Sequence, residues 1–351
     1  MLALLHTACG DDGGGGDLDA PATDAAIDAA TDAGTDGGFV QPTMLSETGL
    51  YSDISSETIA PGIVEYVPRW ELFSDRAVKR RWVYLPPGTK IDTSDMDWWQ
   101  FPVGTKFWKE FTRDGVRIET RLIQRIDASN DVSSWYFVSF QWDAEQFDAI
   151  AVPGGVVDDP GNNDIPDRSK CRQCHQPSRN RSVILGFGAL QLDYVATSDG
   201  MDLERLVTED RLTMNPASSN GGFFPMPEVG ASDPTLPALG YLHTNCGGCH
   251  NEFSDVKNTV NVELRLTTAA GDRMSWSTTR PWAFVLGPNG TGVPAQLSGS
   301  GSHLVLPGDV GNSAVHARMN SITGTKMPPI GRETLDSSGL DAVRLWIESL
   351  P

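Results

Sequence analysis

Two five-residue motifs of the same form constrain this chain more than any other feature of its sequence. The first is Cys-Arg-Gln-Cys-His at 171–175, and the second is Cys-Gly-Gly-Cys-His at 246–250. The chain has 351 residues but only five cysteines, and four of them lie in these motifs. Disulfide frameworks spread their cysteines along short chains, so two tight pairs in a long chain indicate metal binding or covalent attachment of a group.

Each motif has the residues that a thioether attachment site for haem requires. Two thiols one helical turn apart can reach two vinyl groups on one edge of the ring, and the next residue directs an imidazole at the iron. We therefore predict two covalently bound c-type haems. The predicted attachment cysteines and proximal iron ligands are Cys171, Cys174 and His175 in the first motif and Cys246, Cys249 and His250 in the second.

Three other uses of paired cysteines stay open. Zinc sites generally separate their cysteine pairs by about 15–20 residues, and they leave the two histidines without a role. A thioredoxin-like redox pair follows a strand, whereas Cys171 follows a turn-rich sequence at 160–167. Surface disulfides are compatible with an exported chain.

A methionine is the predicted distal ligand of each iron. Met327 is followed by two prolines, which block helix formation and hold an extended strap that can press a thioether onto a flat ring. In the first module Met226 is the candidate, because prolines flank it on both sides. The alternative distal ligands in the first module are Met201, Met214 and His243. A further alternative is that this iron has no distal ligand.

The patterns along the chain predict an α+β protein. The expected segments are a remnant of a lipoprotein-type signal at 1–9, a disordered linker at 10–44, a β-rich domain at 45–165, a first haem module at 166–230 and a second, cytochrome c-like haem domain at 231–351. Both haem modules are expected to be mainly α-helical, and the second is expected to contain a small β insertion.

Local periodicity gives the expected elements. Period-two runs at 106–112 and 116–123 flank Asp114-Gly115, which is the strongest short-range signal for a β-hairpin. Further strands are predicted at 80–85, 134–141, 149–152, 259–267 and 282–286. Helices are predicted at 183–194, 235–245, 312–319 (capped by Asn312) and 338–350.

The first forty residues differ in composition from the rest. They contain eight Asp and no Lys, Arg or Glu, so they cannot build a core. The short apolar stretch, Cys9 and the tether that follows resemble a bacterial lipoprotein signal, in which the cysteine is lipidated, and we expect the true start to lie upstream. The formal net charge of the whole chain is −19, which argues against a nucleic-acid partner.

Shorter motifs extend over nearly the whole folded chain, at 85–92, 101–111, 118–121, 167–171, 239–246, 307–309 and 327–331. Together with the two cysteine motifs they resemble a family of exported bacterial dihaem c-type cytochromes, which are often lipoproteins with an N-terminal β-domain. The resemblance runs from about Leu72 to Leu350. It implies haem binding, electron transfer and export, without a defined substrate.

The sequence therefore predicts an electron-transfer protein of the periplasm or outer membrane, anchored by lipid through Cys9, whose acidic body attracts basic redox partners. The alternative is an enzyme, a dihaem peroxidase in which one open iron meets peroxide. A third hypothesis, a surface binding protein, depends only on the β-rich segment, which holds seven of the ten tryptophans between Trp70 and Trp142.

Overall fold

A six-stranded antiparallel sheet is the largest element of the structure. The protein is described by a computed structural model that covers residues 39–129, 132–157, 164–175, 184–196, 199–219, 222–287, 289–295 and 301–351. Cys9, the predicted signal and most of the predicted linker lie outside these residues. In the part that is covered, no helix is long and apolar enough to cross a membrane.

The strands of the large sheet follow one another in chain order, each antiparallel to the next. They are β3 (Ile63–Glu65), β4 (Val78–Tyr84), β5 (Lys106–Arg113), β6 (Val116–Arg125), β7 (Trp135–Trp142) and β8 (Ala149–Ala151). A two-stranded antiparallel sheet of β1 (Tyr51–Asp53) and β2 (Thr58–Ile59) precedes it.

The predicted hairpin is confirmed. Arg113 pairs with Val116, so Asp114 and Gly115 form a two-residue loop. Both loop residues have positive φ, 50° and 80°, as the tight turn between twisted strands requires. The strands predicted at 80–85, 134–141 and 149–152 correspond to β4, β7 and β8.

The described helices are short. They are α1 (Arg168–His175), α2 (Ala189–Leu192), α3 (Leu203–Thr208), α4 (Thr235–Asn245), α5 (Arg280–Leu286), α6 (Ala314–Met319) and α7 (Ser337–Ser349). Turns of 3-10 helix lie at Leu45–Thr48, Val132–Ser134, Asp255–Asn258, Gly271–Arg273 and Trp276–Thr278.

The predicted fold class is wrong. Among the described residues the protein is mostly β, with two antiparallel sheets, and its longest helix has 13 residues, so the expected cytochrome c-like helical modules are not found. The expected β insertion is wrong as well, because 259–267 contains no strand and 282–286 belongs to helix α5. Apolar runs this short do not distinguish a strand from a buried helix by periodicity.

The other helix predictions differ in outcome. Helix α4 has the predicted bounds, and α7 agrees with the helix predicted at 338–350. Ser313 rather than Asn312 occupies the N-cap position of α6, without a capping hydrogen bond to its side chain. Only Ala189–Leu192 is helical in the described part of 183–194.

One continuous core joins the sheet to the helices. It includes Phe107 and Phe137 from the sheet, Leu239 from α4 and Trp346 from α7. Helices α4 and α7 pack closely, because a Cβ atom on Gly339 would lie only 2.1 Å from the ring of Tyr241. The C-terminal helix thereby supports the helix that leads into the second cysteine motif.

Candidate functional site

The first motif lies on α1, which packs on strand β7. Asp167 caps the helix, because its carboxylate accepts a 2.9 Å hydrogen bond from the backbone N–H of Lys170. Arg168 donates to the carbonyl oxygen of Phe137 at 3.1 Å and its guanidinium lies over the ring of Tyr136. The cap and the arginine fix the start of α1 against the sheet.

Cys171, Cys174 and His175 all belong to this helix, so the two thiols are one turn apart, as the motif spacing predicts. Both cysteines are half-buried and unbridged. The His175 ring lies 5.9 Å from the ring of Phe137 on β7, with an angle of 36° between their planes. In contrast, Gln173 between the cysteines is exposed.

A row of three cationic residues crosses the sheet close to these thiols. Arg81 on β4 pairs with Lys109 on β5, and Lys109 pairs with Arg121 on β6. Arg121 binds both carboxylate oxygens of Glu119, and Arg81 lies 3.1 Å from a carboxylate oxygen of Glu71. We call Arg81, Lys109 and Arg121 the cationic row.

The cationic row sets the electrostatics of the first motif. Burial lowers the pKa of Lys109 well below its ordinary value, and the positive charges of Arg81 and Arg121 lower it further. Burial also raises the pKa of the Cys171 thiol to about 11, against the opposing effect of Arg121. The first motif therefore lies beside three basic side chains, of which Arg81 and Arg121 are paired with carboxylates while the charge on Lys109 is disfavoured.

The second motif is held by a turn and not by a helix of its own. Cys246 caps the C-terminus of α4, and its N–H donates to the carbonyl of Leu242. The backbone N–H groups of Cys249 and His250 then both donate to the carbonyl of Cys246, at 3.1 and 2.8 Å. Cys246 and Cys249 are therefore one hydrogen-bonded turn apart along the backbone.

The two glycines of the second motif lie close against neighbouring segments. A Cβ atom on Gly247 would lie 2.5 Å from the carbonyl oxygen of His243 and 3.0 Å from Cα of Arg265. A Cβ atom on Gly248 would lie 2.9 Å from the side chain of Leu185. The 2.5 Å distance at Gly247 is to backbone and is too short for a real Cβ contact, whereas the 2.9 Å distance at Gly248 is to the end of a side chain that can move.

His250 combines burial with an incomplete set of hydrogen bonds. Its Nδ1 atom is buried and has no hydrogen-bond partner. Burial lowers the pKa of the imidazole, a hydrogen bond to the backbone of Val262 opposes this, and Arg318 of α6 lowers it again. A neutral imidazole is the form that binds a metal.

The two motifs meet through their second cysteines. The thiols of Cys174 and Cys249 are close enough to interact, and this interaction raises the pKa of Cys174 and lowers that of Cys249. The sulfur of Cys249 also lies 3.9 Å from the carbonyl oxygen of Gln173. The fold thus brings together two cysteines that are far apart in sequence.

The loop that carries Met327 is tied to the surroundings of the second motif. The N–H of Met327 donates to the carbonyl of Arg318 at 3.0 Å, and Arg318 is the residue whose charge acts on His250. Arg332, only 4% exposed, donates to the carbonyls of Met319 and Ser321. Its charge also opposes the effect of burial, which raises the pKa of Cys246 to about 12.

The segment of Met226 has different neighbours from those of the first motif. Phe223 and Phe224 donate their N–H groups to Asp193, and Arg273 donates to the carbonyl of Pro225. Met226 itself is half-buried against the core. Of the two alternative methionines, Met201 is buried in the core, whereas Met214 is 56% exposed.

His243 is poorly suited to be an iron ligand. Its Nδ1 accepts a 3.0 Å hydrogen bond from the N–H of Leu266, so in the neutral ring the proton is on Nε2. Burial lowers the pKa of this imidazole to about 3, which keeps the ring neutral. With one nitrogen accepting and the other protonated, neither is free to bind a metal. His243 and Gly248 line a cavity of about 450 Å³, counted with its opening to solvent.

The residues of both motifs fit covalent attachment of haem. Each has two unbridged thiols one turn apart and a histidine directly after them, and the second histidine has a buried nitrogen without a partner. A shared zinc site fits less well, because Cys171 lies near Arg121 whereas Cys246 lies near Arg332. In the residues that the structure covers, no three His, Cys, Asp or Glu side chains form a metal-binding group.

Two groups near the motifs were missed by the sequence analysis. The cationic row requires the register of three strands, since basic residues on neighbouring strands need not align. Arg332 follows the Met327 loop closely in sequence, and this proximity is the one signal by which it could have been found.

Comparison with known proteins finds no matching family model, no similar curated protein and no similar solved structure.

Proposed function

We propose that this protein is a dihaem c-type electron carrier of the bacterial cell envelope. The observation that carries the proposal is the contact between the second cysteines of the two motifs, Cys174 and Cys249. Two attachment sites that touch are suited to exchange electrons within one chain. Cys9, outside the described residues, would anchor the protein by lipid.

The chain supplies the residues that would attach the two haems and bind their irons. Cys171 and Cys174 would attach one haem, and Cys246 and Cys249 the other. His175 and His250 would be the proximal ligands, and bound haem would supply a one-electron iron couple. The hydrogen bonds from Met327 and Arg332 to the end of α6 hold the methionine loop beside Arg318, whose charge lowers the pKa of His250, and this supports Met327 as the distal ligand.

Covalent attachment is tested by expressing the exported chain with haem-maturation proteins and measuring the haemochrome per chain. We expect two haems in the unaltered protein and one in the double variants Cys171→Ser/Cys174→Ser and Cys246→Ser/Cys249→Ser. Cys9→Ser is the control and should keep both. A colourless protein, or one that holds zinc, contradicts the proposal.

The distal ligands are tested on the haem-loaded protein by optical and electron paramagnetic resonance spectra. Met327→Ala should convert one iron from low spin to high spin, and Met226→Ala should convert the other. Met214→Ala is the control, because this side chain is exposed. An unaltered oxidised protein in which one iron is already high-spin, and which consumes peroxide, favours the peroxidase over the carrier.

A further inference from the structure

The contact between Cys174 and Cys249 has a chemical consequence for the chain without haem. The Cys249 sulfur lies 3.9 Å from the carbonyl oxygen of Gln173, the residue before Cys174, and a Cβ atom on Gly248 would lie 3.9 Å from the carbonyl oxygen of Cys174. The two cysteines are therefore neighbours in space, as a disulfide bond between them requires. Both cysteines are unbridged and half-buried. We infer that Cys174 and Cys249 form a disulfide bond in the haem-free chain and so link α1 covalently to the turn after α4.

The surroundings of the contact favour this pair over the pairs within each motif. The sulfur of Cys249 lies 3.9 Å from the carbonyl of Gln173, and Gly248 lies against the carbonyl of Cys174, so the two backbones approach on both sides of the thiols. The first cysteines have other neighbours. Cys171 lies near Arg121 and Glu119, and Cys246 lies near Arg332.

Formation of the bond needs an oxidant of the disulfide class. Each thiol gives up a proton, the two sulfurs join, and two electrons pass to a disulfide such as oxidised glutathione, which becomes two thiols. The exchange proceeds through a mixed disulfide on one of the two cysteines. Oxidising compartments outside the cytosol provide such conditions.

The bond takes one attachment thiol from each motif at the same time. A single reduction then frees both motifs together, so the two attachment sites become available as a unit. The cross-link does not depend on the proposed function, since it concerns the polypeptide alone and would form in a chain that never binds haem.

The positions of lysine and arginine allow the cross-link to be identified by tryptic peptide mapping. Cleavage after Lys170 and Arg172 separates Cys171, on peptide 171–172, from Cys174, on peptide 173–179. Cys246 and Cys249 both lie on peptide 212–257. A bond between the motifs through Cys174 joins 173–179 to 212–257, whereas a bond within the first motif joins 171–172 to 173–179.

The experiment uses the full-length chain with Cys9→Ser, expressed without haem maturation and equilibrated with oxidised and reduced glutathione. Remaining thiols are alkylated before digestion, and the linked peptides are identified by mass spectrometry. We expect 173–179 joined to 212–257 as the main cross-link. Cys174→Ser and Cys249→Ser should abolish it.

Cys171→Ser and Cys246→Ser are the matched controls, one turn away, and should retain the cross-link. Circular dichroism of every variant verifies that the fold is kept. The linked peptides of the parent chain can also be mapped without any of these variants. Bonds within the motifs, or four alkylated cysteines, would overturn the inference. Neither outcome changes the haem count of the matured protein, so the two proposals fail separately.

Discussion

The two cysteine motifs have the same pattern but are held in place by opposite means. The first is part of helix α1, which lies on the sheet beside buried cations and leaves Gln173 exposed. The second is a turn at the end of α4, where Gly247 is packed against neighbouring backbone and Gly248 against the side chain of Leu185. Identical local spacing can therefore arise from a helix fixed by charge and capping or from a turn fixed by packing.

The largest difference should appear when the inner residues of the motifs are replaced. Gly247→Ala places a Cβ atom against the backbone of His243 and Arg265, which cannot move aside like a flexible side chain. We expect the free energy of unfolding in urea to fall by about 3 kcal/mol. Gln173→Ala, at the exposed position of the first motif, should change it by less than about 0.5 kcal/mol. Equal effects would remove the distinction between the motifs.

The arginines beside the two motifs should also differ. Arg332→Met leaves the buried carbonyl of Met319 and the half-buried carbonyl of Ser321 without this donor, and we expect a loss of about 2 kcal/mol in the free energy of unfolding. Arg168→Met removes fewer buried contacts beside the first motif and should cost about 1 kcal/mol. Urea unfolding of both variants measures the two losses. A larger loss of unfolding free energy for Arg168→Met than for Arg332→Met would contradict the prediction.

The helix that leads into the second motif should make stability depend on pH. The pKa of His243 is about 3 in the folded protein and near 6.5 when unfolded, so below pH 6.5 the unfolded chain binds a proton that the folded chain does not. Stability should therefore be complete above pH 6.5 and fall by about 1.4 kcal/mol per pH unit towards pH 3.

Urea midpoints between pH 7 and pH 4 measure this dependence. His243→Gln is the control, because its amide oxygen can still accept the hydrogen bond from Leu266 without taking up a proton. An unchanged slope in this variant would assign the pH dependence to other groups.

The smallest expected effect concerns the cationic row beside the first motif. Lys109→Met removes a buried amine whose positive charge is disfavoured by burial and by Arg81 and Arg121, and we expect a gain of about 1 kcal/mol in the free energy of unfolding. Lys90→Met, which removes an exposed ion pair with Asp210, should change it by less than about 0.5 kcal/mol. A clear loss on Lys109→Met would mean that the row stabilises the fold.

Part of the fold could be predicted because it depends on local chemistry. The turn at Asp114-Gly115 needs positive φ, and the stripe of Val343, Trp346 and Ile347 defines one face of a helix. The sequence predicts a strand at 282–286, but the structure has helix α5 there. Pro281 in the first helical turn and the packing of α5 favour the helix. The identity and spacing of the motif residues can be read directly from the sequence, whereas haem attachment at these residues stays a prediction.

The amino-acid sequence by itself determined which residues can act together within each motif, because a helical turn sets the distance between a cysteine and the residue three positions later. Only the tertiary structure decided that Cys174 meets Cys249 and that three cations align under the first motif. These relations depend on strand register and on packing between distant segments, and no local pattern encodes either one.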